Sequence, residues 1–152
     1  MAKICRKRVS GPVMELAVQS LRAVVDPIRL RIISLLGQHG TLCVCQISAV
    51  VEQPYSTLSK HLKELKQAGL LQDEKRGRWV YYGLARESWN PLSGKILSMV
   101  TDLHPDMAAV LEQDRQSLTQ VLCCPLPEVA RAGPDFLKSL GSRQKEIQYA
   151  NC

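Results

Sequence analysis

Apolar residues recur at three- and four-residue intervals over most of this chain, broken by short polar or Gly/Pro punctuation, and that rhythm predicts helices. From Val13 the positions Leu16, Leu21, Val24 and Val25 fall at roughly helical spacing and stop before Asp26-Pro27, giving a first helix. Asp26 is a good N-cap, and Pro27 suits the first helical position, where its missing N–H is not needed. A second helix therefore runs from Pro27 to about Gln38. Ile28, Leu30, Ile32, Ile33, Leu35 and Leu36 make it apolar on most sides, which places it in the core. Gly40 supplies a stop, and a short third helix covers about Val44 to Val51.

Glu52, Gln53 and Pro54 interrupt the pattern before a fourth helix, Tyr55 to Gln67, whose Leu58, Leu62 and Leu65 line one buried face and which ends at Ala68-Gly69. Two helices joined by so short a turn, the second carrying Ser56, Thr57, Ser59, Lys60, His61 and Lys63 on its polar side, match a helix-turn-helix. Leu70-Leu71 and Trp79-Val80-Tyr81-Tyr82 are strand-like, with the turn-forming, basic Lys75-Arg76-Gly77-Arg78 between them, and form a β-hairpin wing. Trp89 to about Leu103 and Met107 to about Leu122 are helical, separated at His104-Pro105.

The expected fold is mainly α with a small β-hairpin: a winged helix-turn-helix with four helices before the wing, a fifth after it, and a C-terminal helix and tail. Residues 1–12 are a basic flexible arm, 13–122 the DNA-binding and dimerisation domain, and 123–152, with its Pro, Gly and scattered charge, a loosely attached tail. A length of 152 residues suits one domain. With aromatic content of only 5%, the core must be built mainly from Leu, Val, Ile and Ala.

A net charge of +6 attracts polyanions, and the basic groups on the fourth helix and the wing turn that attraction into an expectation of double-stranded DNA. Ser56, Thr57 and Ser59 can contact base edges or phosphates, and Lys60, His61 and Lys63 supply donors to either. Arg76 and Arg78 at the wing tip suit backbone phosphate or a minor groove. No apolar run approaches the roughly 20 residues of a membrane span, and Met1 to Gly11 lacks the apolar stretch of a secretory signal, so no membrane partner and a cytoplasmic location are expected. In that reducing setting the six Cys are thiols, and clustered thiols serve soft-metal or redox chemistry.

Several segments together resemble the ArsR/SmtB repressors: Asp26-Pro27-Ile28-Arg29-Leu30, Leu42-Cys43-Val44-Cys45-Gln46-Ile47, Ser56 to Leu62, Ala68-Gly69-Leu70 and Gly77 to Tyr82. The resemblance covers about Leu16 to Val100, in matching order and spacing. It implies a homodimer joined through the first helix and the helices after the wing, presenting two reading helices to adjacent major grooves of a near-palindromic operator. Half-sites would then lie about one helical turn apart, about 34 Å, or multiples of it.

Cys43-Val44-Cys45 resembles the arsenic and antimony sensors of that family, with a cadmium and lead subgroup as neighbour. The resemblance implies arsenic(III) or antimony(III) as inducer and no organic cofactor, with thiolates as the ligands that soft ions prefer. The arsenic pattern continues to a third Cys where this chain has Ser48, which leaves the third ligand open among Cys5, Cys123, Cys124 and Cys152, with Cys123 or Cys124 favoured from either protomer. The family's zinc position after the wing aligns with Arg86, Ser88, Met99 and Asp102, a set that does not suit zinc, and Asp102-Leu103-His104 is out of register. Two residues apart in a helix diverge by about 200°, so one ion taking both Cys43 and Cys45 is expected to unwind the start of the third helix. The alternatives are a cadmium, lead or redox sensor of the same fold and, remotely, a thiol redox enzyme. The enzyme lacks a Cys-x-x-Cys, a phosphate-cradling loop and strand-helix alternation.

Overall fold

The computed structural model describes residues 11–85, 92–101 and 105–142. Gly11 and Pro12 open helix α1 (Pro12–Val24), and Asp26 caps α2 (Pro27–His39) by accepting the Arg29 backbone N–H at 3.0 Å. Gly40, at φ 78°, takes the positive dihedral that ends α2 and returns its N–H to the Leu36 carbonyl. After the two-residue strand β1 (Leu42–Cys43) come α3 (Val44–Val51) and α4 (Tyr55–Gln67), joined by Glu52-Gln53-Pro54 as the sequence predicts. Ser48, at the position of the missing third Cys, donates its hydroxyl to the Gln53 carbonyl at 2.7 Å and so holds this turn.

The wing is β2 (Leu71–Arg76) and β3 (Trp79–Leu84), turned at Gly77 with φ 61°. Thr41-Leu42-Cys43 is too short to show strand alternation, yet β1 adds to the wing in the antiparallel order β1-β3-β2, with Leu42 opposite Tyr82 and Cys43 opposite Tyr81. The hairpin is thus one edge of a three-stranded sheet. Beyond it lie α5 (Ser93–Thr101) and α6 (Pro105–Leu122). The flanking stretches 86–91 and 102–104 fall outside the described residues, as do 1–10 and 143–152.

The stretch read as a loose tail enters the core. Pro125 and Pro127 start α7 (Leu126–Ala132) rather than break it, because the first turn of a helix has no use for their missing N–H groups. A 3-10 turn (Gly133–Asp135) and helical residues 136–142 follow, and α7 and the turn pack along α3. Val129 and Phe136 are fully buried there, in one cluster with Ile47, Val50 and Val51 of α3 and Leu118 and Val121 of α6. The Pro and Gly content hid this apolar face.

One ion pair ties three helices together. The Arg31 guanidinium grips Asp114 of α6 through two 2.7 Å bonds and reaches the Val50 carbonyl at 3.2 Å and the Val51 carbonyl at 3.5 Å, at the end of α3. Asp114 keeps 5% of its side-chain exposure and Arg31 19%, so the pair is largely withdrawn from water. Asp114→Ala leaves a mostly buried guanidinium unpaired and is expected to cost about 3 kcal/mol in urea denaturation. The double replacement Arg31→Met/Asp114→Leu should recover much of that loss.

Candidate functional site

Cys43 and Cys45 meet where a strand becomes a helix. Cys43 is the N-cap of α3, with extended backbone (φ −67°, ψ 146°), and Cys45 lies in the first turn. The helical divergence expected between them therefore does not apply. The Cys45 thiol donates to Cys43 Sγ at 3.0 Å, and both residues are fully buried. An ion making two bonds to sulfur of about 2.3 Å at a near-right angle needs sulfurs about 3.3 Å apart, so the pair is already close to that separation without unwinding α3.

Gln46 fixes the cap by accepting the Cys43 backbone N–H on Oε1 at 2.8 Å. Cys43-x-x-Gln46 is thus a capping box with sulfur in place of the usual hydroxyl, a spacing visible in the sequence but passed over there. The hydrogen bond from the Cys45 thiol lowers the Cys43 thiol to about 7; burial opposes this, and the backbone N–H groups of Cys45, Val44 and Gln46 add to it. Cys45 is pushed up, because its proton is shared with Cys43 sulfur, because it is buried, and because a Cys43 thiolate repels a second negative charge. The pair therefore gives up its first proton near neutrality and holds the second.

Among the described residues no three His, Cys, Asp or Glu side chains converge as a metal group, so Cys123 and Cys124 do not complete the Cys43–Cys45 pair within one protomer. Both are free thiols; Cys123 is exposed, and half-buried Cys124 points at the Gln120 carbonyl, 3.6 Å away. Cys5 and Cys152 lie outside the described residues, as do Arg86, Ser88, Asp102 and His104. Met99 is exposed on α5.

On α4, Ser56, Ser59, Lys60 and Lys63 are exposed on one side while Leu58, Leu62 and Leu65 are buried on the other; Thr57 is half-buried. His61 departs from the outward face. It is half-buried, with Nδ1 3.7 Å from Asp26 Oδ1, and its ring spans α4 and the cap of α2. At the wing tip the Arg76 guanidinium lies 4.7 Å from the centre of the Tyr81 ring and pairs with Glu74 at 2.7 Å, and Arg78 lies 4.7 Å from the Trp79 ring. Stacking on the wing aromatics holds both guanidiniums at the tip. Tyr81 is also the residue opposite Cys43, so the wing and the thiols share a strand pairing. Tyr55, which the sequence reading passed over, opens α4, and its hydroxyl donates to the Ala130 carbonyl of α7 at 3.1 Å.

A helix pair with an exposed polar second member, a basic wing and a sheet edge behind it make this a winged helix-turn-helix fold. Residues 26–73 match the model of the bacterial regulatory proteins of the arsR family. An arsenic resistance transcriptional regulator of Pseudomonas putida is 32% identical over 106 residues, 67% of this chain and 83% of that protein. An arsenical resistance operon repressor of Escherichia coli is 33% identical over 58% of this chain and 85% of its own length. A cadmium resistance regulatory protein homologue of Staphylococcus aureus is 38% identical over 43% of this chain and 54% of its own. The homodimeric winged helix-turn-helix DNA-binding domain Mb0332 of Mycobacterium bovis superposes with a TM-score of 0.52 at 26% identity, covering 59% of this chain and 82% of that one.

The chain belongs to the arsR family of transcriptional regulators. The same findings set the enzymatic reading aside, since the family and its structural neighbours are DNA-binding regulators. Among the described residues no helix is long and apolar enough to cross a membrane. Lys60→Ala is expected to weaken binding to every DNA sequence alike and to reduce the slope of log affinity against log salt by about 0.9, the contribution of one phosphate contact. Fluorescence anisotropy on labelled duplexes over a salt series reads that slope, and an unchanged slope removes Lys60 from the phosphate contacts.

Proposed function

We propose that this chain is a cytoplasmic, homodimeric repressor that holds operator DNA through α4 and the wing and releases it when arsenic(III) or antimony(III) binds Cys43 and Cys45. The observation that carries the reading is the 3.0 Å approach of two buried thiols at the cap of the helix that precedes the reading helix. Ser56, Thr57, Ser59, Lys60 and Lys63 face the major groove, and Arg76 and Arg78 reach phosphate or the minor groove. His61 serves by fixing α4 against Asp26. For the dimer, α1 offers Met14, Val18 and Leu21, all exposed, at intervals of four and three residues, and the exposed Val25 follows at its C-cap. An apolar stripe of that kind on a helix suits a second copy of the chain.

Two thiols hold the ion; a third sulfur falls to Cys123 or Cys124 brought by a second copy, or to Cys5 or Cys152. Binding replaces the thiol hydrogen bond at the cap with two bonds to one atom. Cys43 then shifts within β1, and its ties to Gln46 and to β3 carry the shift to the start of α3 and to the wing. Occupancy and DNA grip oppose each other.

The chemistry of the pair separates arsenic from cadmium. Arsenous acid, As(OH)3, gains two As–S bonds and loses two As–OH bonds, and the two thiol protons leave in two molecules of water, with no net proton change. Above about 7, where Cys43 is already a thiolate, one proton must be taken up, so arsenite affinity falls about tenfold per pH unit. Cadmium instead displaces protons throughout, and its affinity rises with pH. Operator release by arsenite that weakens between pH 7 and 8 fits the proposal, and release that strengthens contradicts it. The Cys43→Ser/Cys45→Ser variant should hold operator with undiminished affinity in arsenite that strips the parent; release from this variant would place the inducer elsewhere.

A further inference from the structure

The C-terminal segment is an unexplained part of the molecule. Alignment with the Pseudomonas putida relative spans 67% of this chain, the superposed Mycobacterium bovis domain covers 59%, and the family model matches residues 26–73. Yet residues 126–142 bury Val129 and Phe136 in the core and pack along α3, the helix that Cys43 caps.

Tyr55, the first residue of α4, donates a hydrogen bond from its hydroxyl to the Ala130 carbonyl of this segment. The same ring faces Gly133, where an added Cβ would lie 3.7 Å from it, and Gly133 holds φ +56°, a turn that brings the chain past the ring. The phenol also lies within the field of the two thiols: burial, then Cys45 and Cys43, push its ionisation up. One side chain thus touches the C-terminal segment, opens the DNA-reading helix and neighbours the sensing pair.

We infer that residues 126–142 form a positioning element of the switch: latched to Tyr55, they hold the first turn of α4 against α3 and close the approach to Cys43 and Cys45. This rests on the inducer reading only for the purpose of the switch; the latch itself is a property of the resting protein. Opening the latch therefore loosens operator grip and admits a thiol reagent to the pair in one step. Tyr55 acts through the elements it joins, and is a positioning residue for both.

The test is the rate at which iodoacetamide alkylates Cys43 and Cys45 in the full chain without DNA or inducer, read by peptide mass, beside operator affinity of the same samples. Tyr55→Phe keeps the ring and removes the hydroxyl, and is expected to raise alkylation and weaken operator binding by roughly two- to tenfold each, the equilibrium factor of one hydrogen bond. Gly133→Ala strains the turn from the C-terminal side of the contact, its new Cβ meeting the Tyr55 ring only at an ordinary van der Waals distance of 3.7 Å, and should move both readouts in the same direction. Lowered thermal stability with alkylation of the pair at the parent rate in both variants would mark the segment as mere packing and overturn the inference. Because no inducer is present, this outcome is distinct from a failure of arsenite to release DNA.

Discussion

The close approach of two sulfurs at the cap of α3 is the constraint on which the rest of this structure turns. It exists because Cys43 is not helical: its extended backbone, held in β1 opposite Tyr81 and tied by its N–H to Gln46, swings its side chain over the first turn until it meets Cys45. Had both residues followed helical geometry their side chains would point nearly opposite ways. The hydrogen bond from the Cys45 thiol, with the backbone N–H groups at the start of the helix adding to it, lets Cys43 ionise near neutrality in spite of burial.

Around that contact the molecule is arranged so that small displacements have few places to go. The core on both sides of α3 is closed, by α2 and the Arg31–Asp114 pair at its far end and by α6 and α7 along its flank. Packed cores yield in discrete steps rather than continuously. The elements still able to respond to a change at the cap are the sheet edge, which leads to the stacked arginines of the wing, and the short turn into α4.

Most of the DNA-reading half was legible from sequence because its signals are local. Asp26-Pro27, Gly40, the polar break before Tyr55 and the Leu58, Leu62, Leu65 repeat each act within a few residues, and the helices fall where those signals put them. The unreadable parts are those set by partners far along the chain. Nothing near Arg31 announces Asp114, 83 residues away, and β1 is too short to carry a pattern; only its pairing with β3 makes it a strand. His61 was legible as polar but not as inward, since that depends on where Asp26 sits. The C-terminal segment was misjudged because Pro and Gly were counted as breakers, when Pro125 and Pro127 start a helix and Gly133 turns it onto α3. The Cys43-x-x-Gln46 capping box could have been seen, had a thiol been allowed in the place of a hydroxyl.

If binding at the thiols and grip on DNA oppose each other, the opposition must run in both directions. The direct measurement is arsenite affinity of the full chain, by calorimetry, free and saturated with operator. Arsenite should bind the operator complex more weakly by the same factor by which it weakens operator binding. Equal arsenite affinity in the two states would contradict the coupling of the cap to the reading helix.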